Sequence, residues 1–279
     1  MRFELCDSLS LPGDSSKPNE DAFAHASRFA AVFDGATGLG ERLMPGRSDA
    51  QWLAQFGARR LAAHAQTDVG ALRDWLRSAA ADAEKSFAAL RRRAPAENYE
   101  TPFASLIALS LENGALDALW FGDCAALIRF ADGGFAMVGE TFDRRAAERE
   151  RAARLGPKPA GAGVREEFLP VLRASRNKVN TKSEWLFAPD VECAAHGEET
   201  RVPVSEGAIV LIATDGFLAL AADYARYSPA SLLAAAESRG LAALGEELRR
   251  TEAADPDGSA YPRFKKSDDA TALLLSVVT

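Results

Sequence analysis

Four aspartates stand where a continuous apolar run begins or ends: Asp34 in AAVFDG, Asp123 in LWFGD, Asp215 in IVLIATDG and Asp268 in SDDATALLL. A strand buried in a sheet fixes its last residue closely, so several strand ends on one edge can aim carboxylates at a common point. Like charges brought together are costly unless a cation neutralises them. Oxygen donors of this kind suit Mg2+ or Mn2+. Two such ions roughly 3.5–4 Å apart lower the pKa of a shared water and clamp a phosphoryl oxygen. Glycines beside these residues (Gly35, Gly122 and Gly216) allow tight turns and close backbone approach, and the Gly35 carbonyl is itself a candidate ligand. An Asp-Gly pair also simply marks the turn after a strand. Recurrence after several apolar runs, with the acidic pair Glu20-Asp21 ahead of the first, favours the chemical reading.

Other donors are scarce. His25, His64 and His196 have no helical ligand spacing, so a histidine-rich metal site is not expected. Cys6, Cys124 and Cys193 are odd in number and far apart, giving neither a zinc spacing nor a disulfide framework, which fits a reducing cytosol. The formal net charge of -7 argues against nucleic acid and against an anionic membrane surface as partners. The N-terminus has no apolar core of a signal peptide, and no apolar run is long enough to span a bilayer. The expected location is the cytoplasm.

The elements that must position the carboxylates follow from periodicity. Phe29–Phe33 reads as a buried strand entering a turn. Ser48–Gln66 and Val69–Arg93 read as helices; in the second, Val69, Leu72, Leu76, Ala79, Ala83, Phe87 and Leu90 form one apolar face. Phe103–Leu111, Asp117–Phe121, Ala125–Phe130 and Phe135–Val138 read as an antiparallel meander, with Asn113-Gly114 as a hairpin turn. Asp143–Leu155, dense in Arg and Glu, reads as a solvated helix, and Gly156–Gly163 as a loop. Ala208–Thr214 is a strand, Pro229–Glu237 and Leu241–Thr251 are helices, and Ala270–Val278 is a last strand after the turn-rich Asp255–Lys266. Strands linked partly by hairpins and partly by helices indicate an α+β layered domain rather than a doubly wound sheet. No repeat or linker divides residues 1–279, which are expected to form a single domain.

The motifs NEDAFA, AVFDGATG, FGDCAALI, ATDGF and SDDATALLL resemble, in order and spacing, those of the metal-dependent protein phosphatases of type 2C, from about residue 14 to the C-terminus. The resemblance implies a β-sandwich of two antiparallel sheets flanked by helices, with a dimetal centre at one end. It implies that Asp34 bridges two Mn2+ or Mg2+ ions, that the Gly35 carbonyl binds one of them, and that Asp215 and Asp268 hold the other. Glu20 and Asp21 match the acidic pair supporting the centre, and Asp123 a position that helps hold a looser third ion. The implied reaction is attack on phosphoserine or phosphothreonine of a protein substrate by metal-activated water, with no phosphoenzyme.

The chain departs from the pattern in places. Many eukaryotic members carry a His two residues after the first metal Asp, where Ala36 stands, and bacterial members often lack it too. Bacterial members tend to place an Arg four residues before the Glu, where Ser16 stands; Lys17 follows and can supply the charge to phosphate, as a point donor rather than a fork. Residues 139–203 match no motif and occupy the stretch that varies in the family, often as a flap near the site. The alternative from a different class is a catalytically weak or inactive relative that binds or regulates a phosphoprotein. A haloacid dehalogenase-type phosphatase would need a second Asp where Ala36 stands.

Overall fold

The computed structural model describes residues 1–279 apart from 68–69, 141, 156–168, 183 and 264. Among the described residues, ten strands form two antiparallel five-stranded sheets. One has the order β1 (Arg2–Leu11), β10 (Ala270–Val278), β9 (Ile209–Ala213), β6 (Ala125–Arg129), β7 (Phe135–Gly139). The other has the order β2 (Asp21–Ala26), β3 (Phe29–Gly35), β4 (Ala104–Glu112), β5 (Ala115–Phe121), β8 (Glu198–Pro203). The expected sandwich of two antiparallel sheets flanked by helices is what the chain forms.

The continuous apolar runs are explained by burial on both faces. In β3, Ala30 and Val32 point into the core between the sheets, while Phe29, Ala31 and Phe33 point to the helices α1 (Asp49–Thr67) and α2 (Leu72–Leu90). In β9, Val210 and Ile212 face the inter-sheet core. Leu211 and Ala213 face α5 (Asp215–Ala222), α6 (Pro229–Arg239) and α7 (Leu241–Ala254). Helix, sheet, sheet and helix thus stack in four layers, and both central layers read as apolar throughout.

Two readings are corrected, and three elements are additions to them. The expected meander is not one sheet: β4 and β5 pair in one, β6 and β7 in the other. The crossing falls at Gly122, with φ of +72°, whose missing Cβ would lie 2.2 Å from Ser105 Oγ. The strands β1 and β2 and the helix α5 gave no separate signal. Finally, the Arg/Glu-rich helix α3 (Asp143–Leu155) is not simply solvated: Ala152 is buried, Arg145 turns inward, and Arg149 Nη1 donates to the Ala222 carbonyl at 2.6 Å. The expected start of the second helix at Val69 and the loop over 156–163 lie outside the described residues.

Trp75 is in the helix-side core, and Trp52 and Trp120 pack against cores. Trp185 stacks on His196 with ring centroids 3.5 Å apart, His64 pairs with Asp82 at 3.1 Å, and His25 is exposed.

Candidate metal centre

Topology gathers the carboxylates at one end of the sandwich. Asp34 is the penultimate residue of β3 and lies opposite Asp21, the first residue of β2. Asp123 sits in the turn where the chain passes between sheets. Asp215 opens α5 directly after β9, with Thr214 as the N-cap. Asp34, Asp123 and Asp215 each offer an oxygen within 4.8 Å of the other two. Asp268 belongs to the same end but its carboxylate is gripped by Lys265, at 2.9 and 3.1 Å.

Close backbone approaches keep these elements in place. A Cβ on Gly35 would lie 2.6 Å from the Glu20 carbonyl and 2.8 Å from that of Ala50; one on Gly216 would lie 1.9 Å from the Asp269 carbonyl. Asp269 accepts from the Gly13 amide at 2.7 Å and the Glu20 amide at 2.6 Å, pinning the loop before β2 beside the start of β10. Glu20 accepts from Thr37 Oγ1 at 2.6 Å and from the Ser48 hydroxyl. Thr214 Oγ1 donates to Asp21 Oδ2 at 2.8 Å and accepts from the Thr271 amide at 3.0 Å. That hydroxyl ties β2 of one sheet to β9 and β10 of the other.

Burial first, and then Asp215, Asp21 and Asp123, push the Asp34 carboxyl well above its ordinary range. Asp21 is likewise raised, chiefly by burial, against the hydrogen bond from Thr214. Burial pushes Asp215 up to about 7 even though Arg145 pulls it down. Burial also opposes ionisation of Asp268, but Lys265 outweighs it and holds that carboxyl below its ordinary value. Cys124, fully buried next to the cluster, is raised well above an ordinary thiol by burial and by Asp34 and Asp123.

Among the described residues, Oδ1 of Asp21, Oδ1 of Asp123 and Oδ1 of Asp215 are buried with no hydrogen-bond partner. Buried carboxylate oxygens are rarely left so. A convergent set of orphaned hard oxygens is what a divalent cation satisfies, and the residues present fit one.

Lys17 is exposed on the wall of a cleft of about 680 Å³ that is also lined by Glu20, Thr37, Arg47, Lys266 and Asp268. Three participants carry no motif in the sequence: Arg145, Lys265 and Arg176. Arg145 donates from Nη1 to Asp215 Oδ2 at 2.7 Å and from Nη2 to the Asp215 carbonyl at 3.1 Å, and pairs with Asp223 Oδ2 at 2.7 Å. Arg176, on α4 (Leu169–Arg176), has Glu184, Glu20 and Asp34 as charged neighbours. Isolated arginines in a charge-rich stretch give no local signal. Lys265, three residues before Asp268, is the one cation of the three whose spacing hints at pairing.

The fold and centre define a family. A family model for protein phosphatase 2C matches residues 14–249, and the chain belongs to that family. The matched range ends before the SDDATALLL motif that carries Asp268. A search of curated protein sequences gives no match. Among solved structures, the Mycobacterium tuberculosis serine/threonine phosphatase PstP/Ppp is similar, with 15% identity, a TM-score of 0.59 and 100% of each chain covered. The PstP catalytic domain in complex with two manganese ions has 15% identity and a TM-score of 0.57, covering 100% of this chain and 98% of that one. The S. agalactiae serine/threonine phosphatase has 16% identity and a TM-score of 0.56, with 99% of each chain covered. At these identities the likeness is one of fold.

Proposed function

We propose that this protein is a serine/threonine phosphatase acting on phosphorylated proteins with two bound divalent ions, Mn2+ or Mg2+. The observation that carries the reading is the convergence of Asp34, Asp123 and Asp215 within 4.8 Å, with orphaned buried oxygens on Asp123 and Asp215. Asp34, Asp215 and Asp123, with the Gly35 carbonyl, are the residues that would hold the ions. Glu20, Asp21 and Asp268 stand around them, Glu20 oriented by Thr37 and Ser48 and Asp268 by Lys265. When bound, the ions supply the acidity that makes water a nucleophile at neutral pH and the charge that draws in a phosphoryl oxygen.

The chain's own residues do the rest. Lys17, on the cleft wall, brings a positive charge to the incoming phosphate dianion, in place of the fork that an Arg at position 16 would give. Ala36 offers no proton donor, so the leaving serine or threonine oxygen takes its proton from solvent in the open cleft. Within residues 139–203 the helices α3 and α4 cover this site, α3 reaching it through Arg145 and Arg173 of α4 donating to the Leu39 carbonyl at 2.9 Å beside the cleft, whereas Phe187 and Cys193 are core and Glu198–Pro203 is strand β8. The whole of 1–279 works as one domain in this reading. Free, buried Cys124 and Cys193 accord with a cytoplasmic setting. No helix among the described residues is long and apolar enough to cross a membrane.

The test is hydrolysis of a phosphothreonine peptide and of a chromogenic phosphate ester, with Mn2+ and with chelator. Activity should require the ion and be lost in Asp34→Asn and Asp215→Asn. Full activity in both variants would sink the proposal.

A further inference from the structure

Arg145 is an unusual neighbour for a cation site. Its guanidinium is largely buried and bridges two carboxylates, 2.7 Å from Asp215 Oδ2 and 2.7 Å from Asp223 Oδ2, while also holding the Asp215 carbonyl. Its side chain is 12% exposed, with the Asp215 side chain at 10% and the Asp223 side chain at 16%, so little water screens the contacts. Asp215 therefore has two different edges. Oδ2 is taken by Arg145, whereas Oδ1 is buried and unpartnered, and Asp215 offers an oxygen within 4.8 Å of those of Asp34 and Asp123. Carboxylates from the first turn of α5 and from its C-cap, bridged by one cation on a neighbouring helix, have the composition of a small oxygen-donor site that the chain has filled itself.

We propose that Arg145 acts as a built-in cation that closes the outer edge of the centre: it stands where an ion between Asp215 and Asp223 would otherwise bind, and so sets how many ions the cluster accepts. The inference rests on the proposed metal-dependent function and deepens it. Ions enter on the Oδ1 side of Asp215, and α3 stays docked through Arg145 in the loaded enzyme. A guanidinium does this better than water or an ammonium. Its planar fork spans two carboxylates at once and cannot lose its proton. Arg145 touches no substrate in this account; it positions Asp215 and excludes an ion.

The experiment counts Mn2+ ions per chain by calorimetry and by equilibrium dialysis with metal analysis, in wild type, Arg145→Met, and Arg145→Met combined with Asp223→Asn. Arg145→Met should bind one more Mn2+ per chain than wild type, and the double variant should return to the wild-type number. A merely structural role for Arg145 would leave the count unchanged, and an unchanged count overturns the inference. The wild type also serves without any variant, through hydrogen exchange. Saturation with Mn2+ should leave exchange of the α3 amides no faster; if exchange there accelerates, the ion displaces Arg145 and the inference fails. The functional reading fails differently, by a wild type that binds no Mn2+ at all.

Discussion

Asp34 and Asp215 belong to opposite sheets, one at the end of β3 and the other just past β9, yet they bring carboxylate oxygens within 4.8 Å of each other and of Asp123. Without a cation this arrangement works against folding, because burial and the neighbouring carboxylates drive the Asp34 carboxyl well above its ordinary range. Removing that charge should separate function from stability. Asp34→Asn is expected to lower phosphatase turnover by about 10³-fold or more, roughly 4 kcal/mol of barrier. The chelated variant should melt at or above the temperature of chelated wild type, and Mn2+ should no longer raise it. Paired melts with and without Mn2+, beside the ester assay, check both halves. A variant that stays active and is still stabilised by Mn2+ would contradict the assignment of Asp34.

Gly216 tests the rigidity of the site. It lies in the first turn of α5, and an added Cβ would fall 1.9 Å from the Asp269 carbonyl, an overlap that only a backbone shift relieves. Asp269 holds the amides of Gly13 and Glu20, so the shift would reach the loop that carries Glu20. Gly216→Ala should cost about 3 kcal/mol of stability and reduce activity with it. Gly38→Ala is the control: nothing lies within 4 Å of the point where its methyl group would stand, so the change should stay within about 0.5 kcal/mol. Urea unfolding of the two variants should show this separation, and equal midpoints would rule out the crowding argument.

The strand-end aspartates are legible because a buried two-faced strand writes itself as a continuous apolar run, and the run stops at the residue that leaves the sheet. Asp34, Asp123 and Asp215 are found in this way. The strands β1 and β2 are not, because they alternate exposed residues with mostly half-buried ones, carry polar side chains and lack such a run. The division of the meander between two sheets depends on the left-handed Gly122, and a glycine in a turn does not announce which sheet comes next. Arg145, Lys265 and Thr214 owe their places to contacts across roughly 70, 3 and 193 residues of chain, and only the shortest of these leaves a local pattern. The family resemblance points to Asp268 but gives no hint of Lys265, which pairs with its carboxylate at 2.9 Å.

Thr214 should matter more to stability than a threonine at a strand end suggests. Fully buried, its hydroxyl donates to Asp21 at 2.8 Å and accepts from the Thr271 amide at 3.0 Å. Thr214→Val preserves shape and removes both bonds, weakening the hold on a buried carboxylate and a buried amide. The expected loss is about 2 kcal/mol, with Thr214→Ser retaining most of the stability. Urea unfolding of the three proteins distinguishes this from a packing effect: valine as stable as wild type would show that the bridge between the sheets is not held by the hydroxyl.

Asp255 controls the segment that delivers Lys265 and Asp268. It closes the C-terminus of α7 and accepts from the amides of Ala260 and Tyr261, both at 3.0 Å, and from Arg263 Nη1 at 2.6 Å. Burial alone would raise its carboxyl, but the Ala260 amide, Arg263 and the Tyr261 amide together hold it below the ordinary value. A carboxyl lowered on folding adds stability that is fully present above its unfolded pKa of about 3.9 and disappears as pH falls through the lower folded value. Asp255→Asn should therefore be less stable than wild type by about 2 kcal/mol at pH 7, since charged hydrogen bonds are replaced by neutral ones. The gap should narrow below about pH 4 and nearly close once wild-type Asp255 is itself protonated. Urea titrations at pH 7, 4 and 3 measure the gap directly. A difference that stays constant down to pH 3 would mean that shape rather than charge at Asp255 holds the loop.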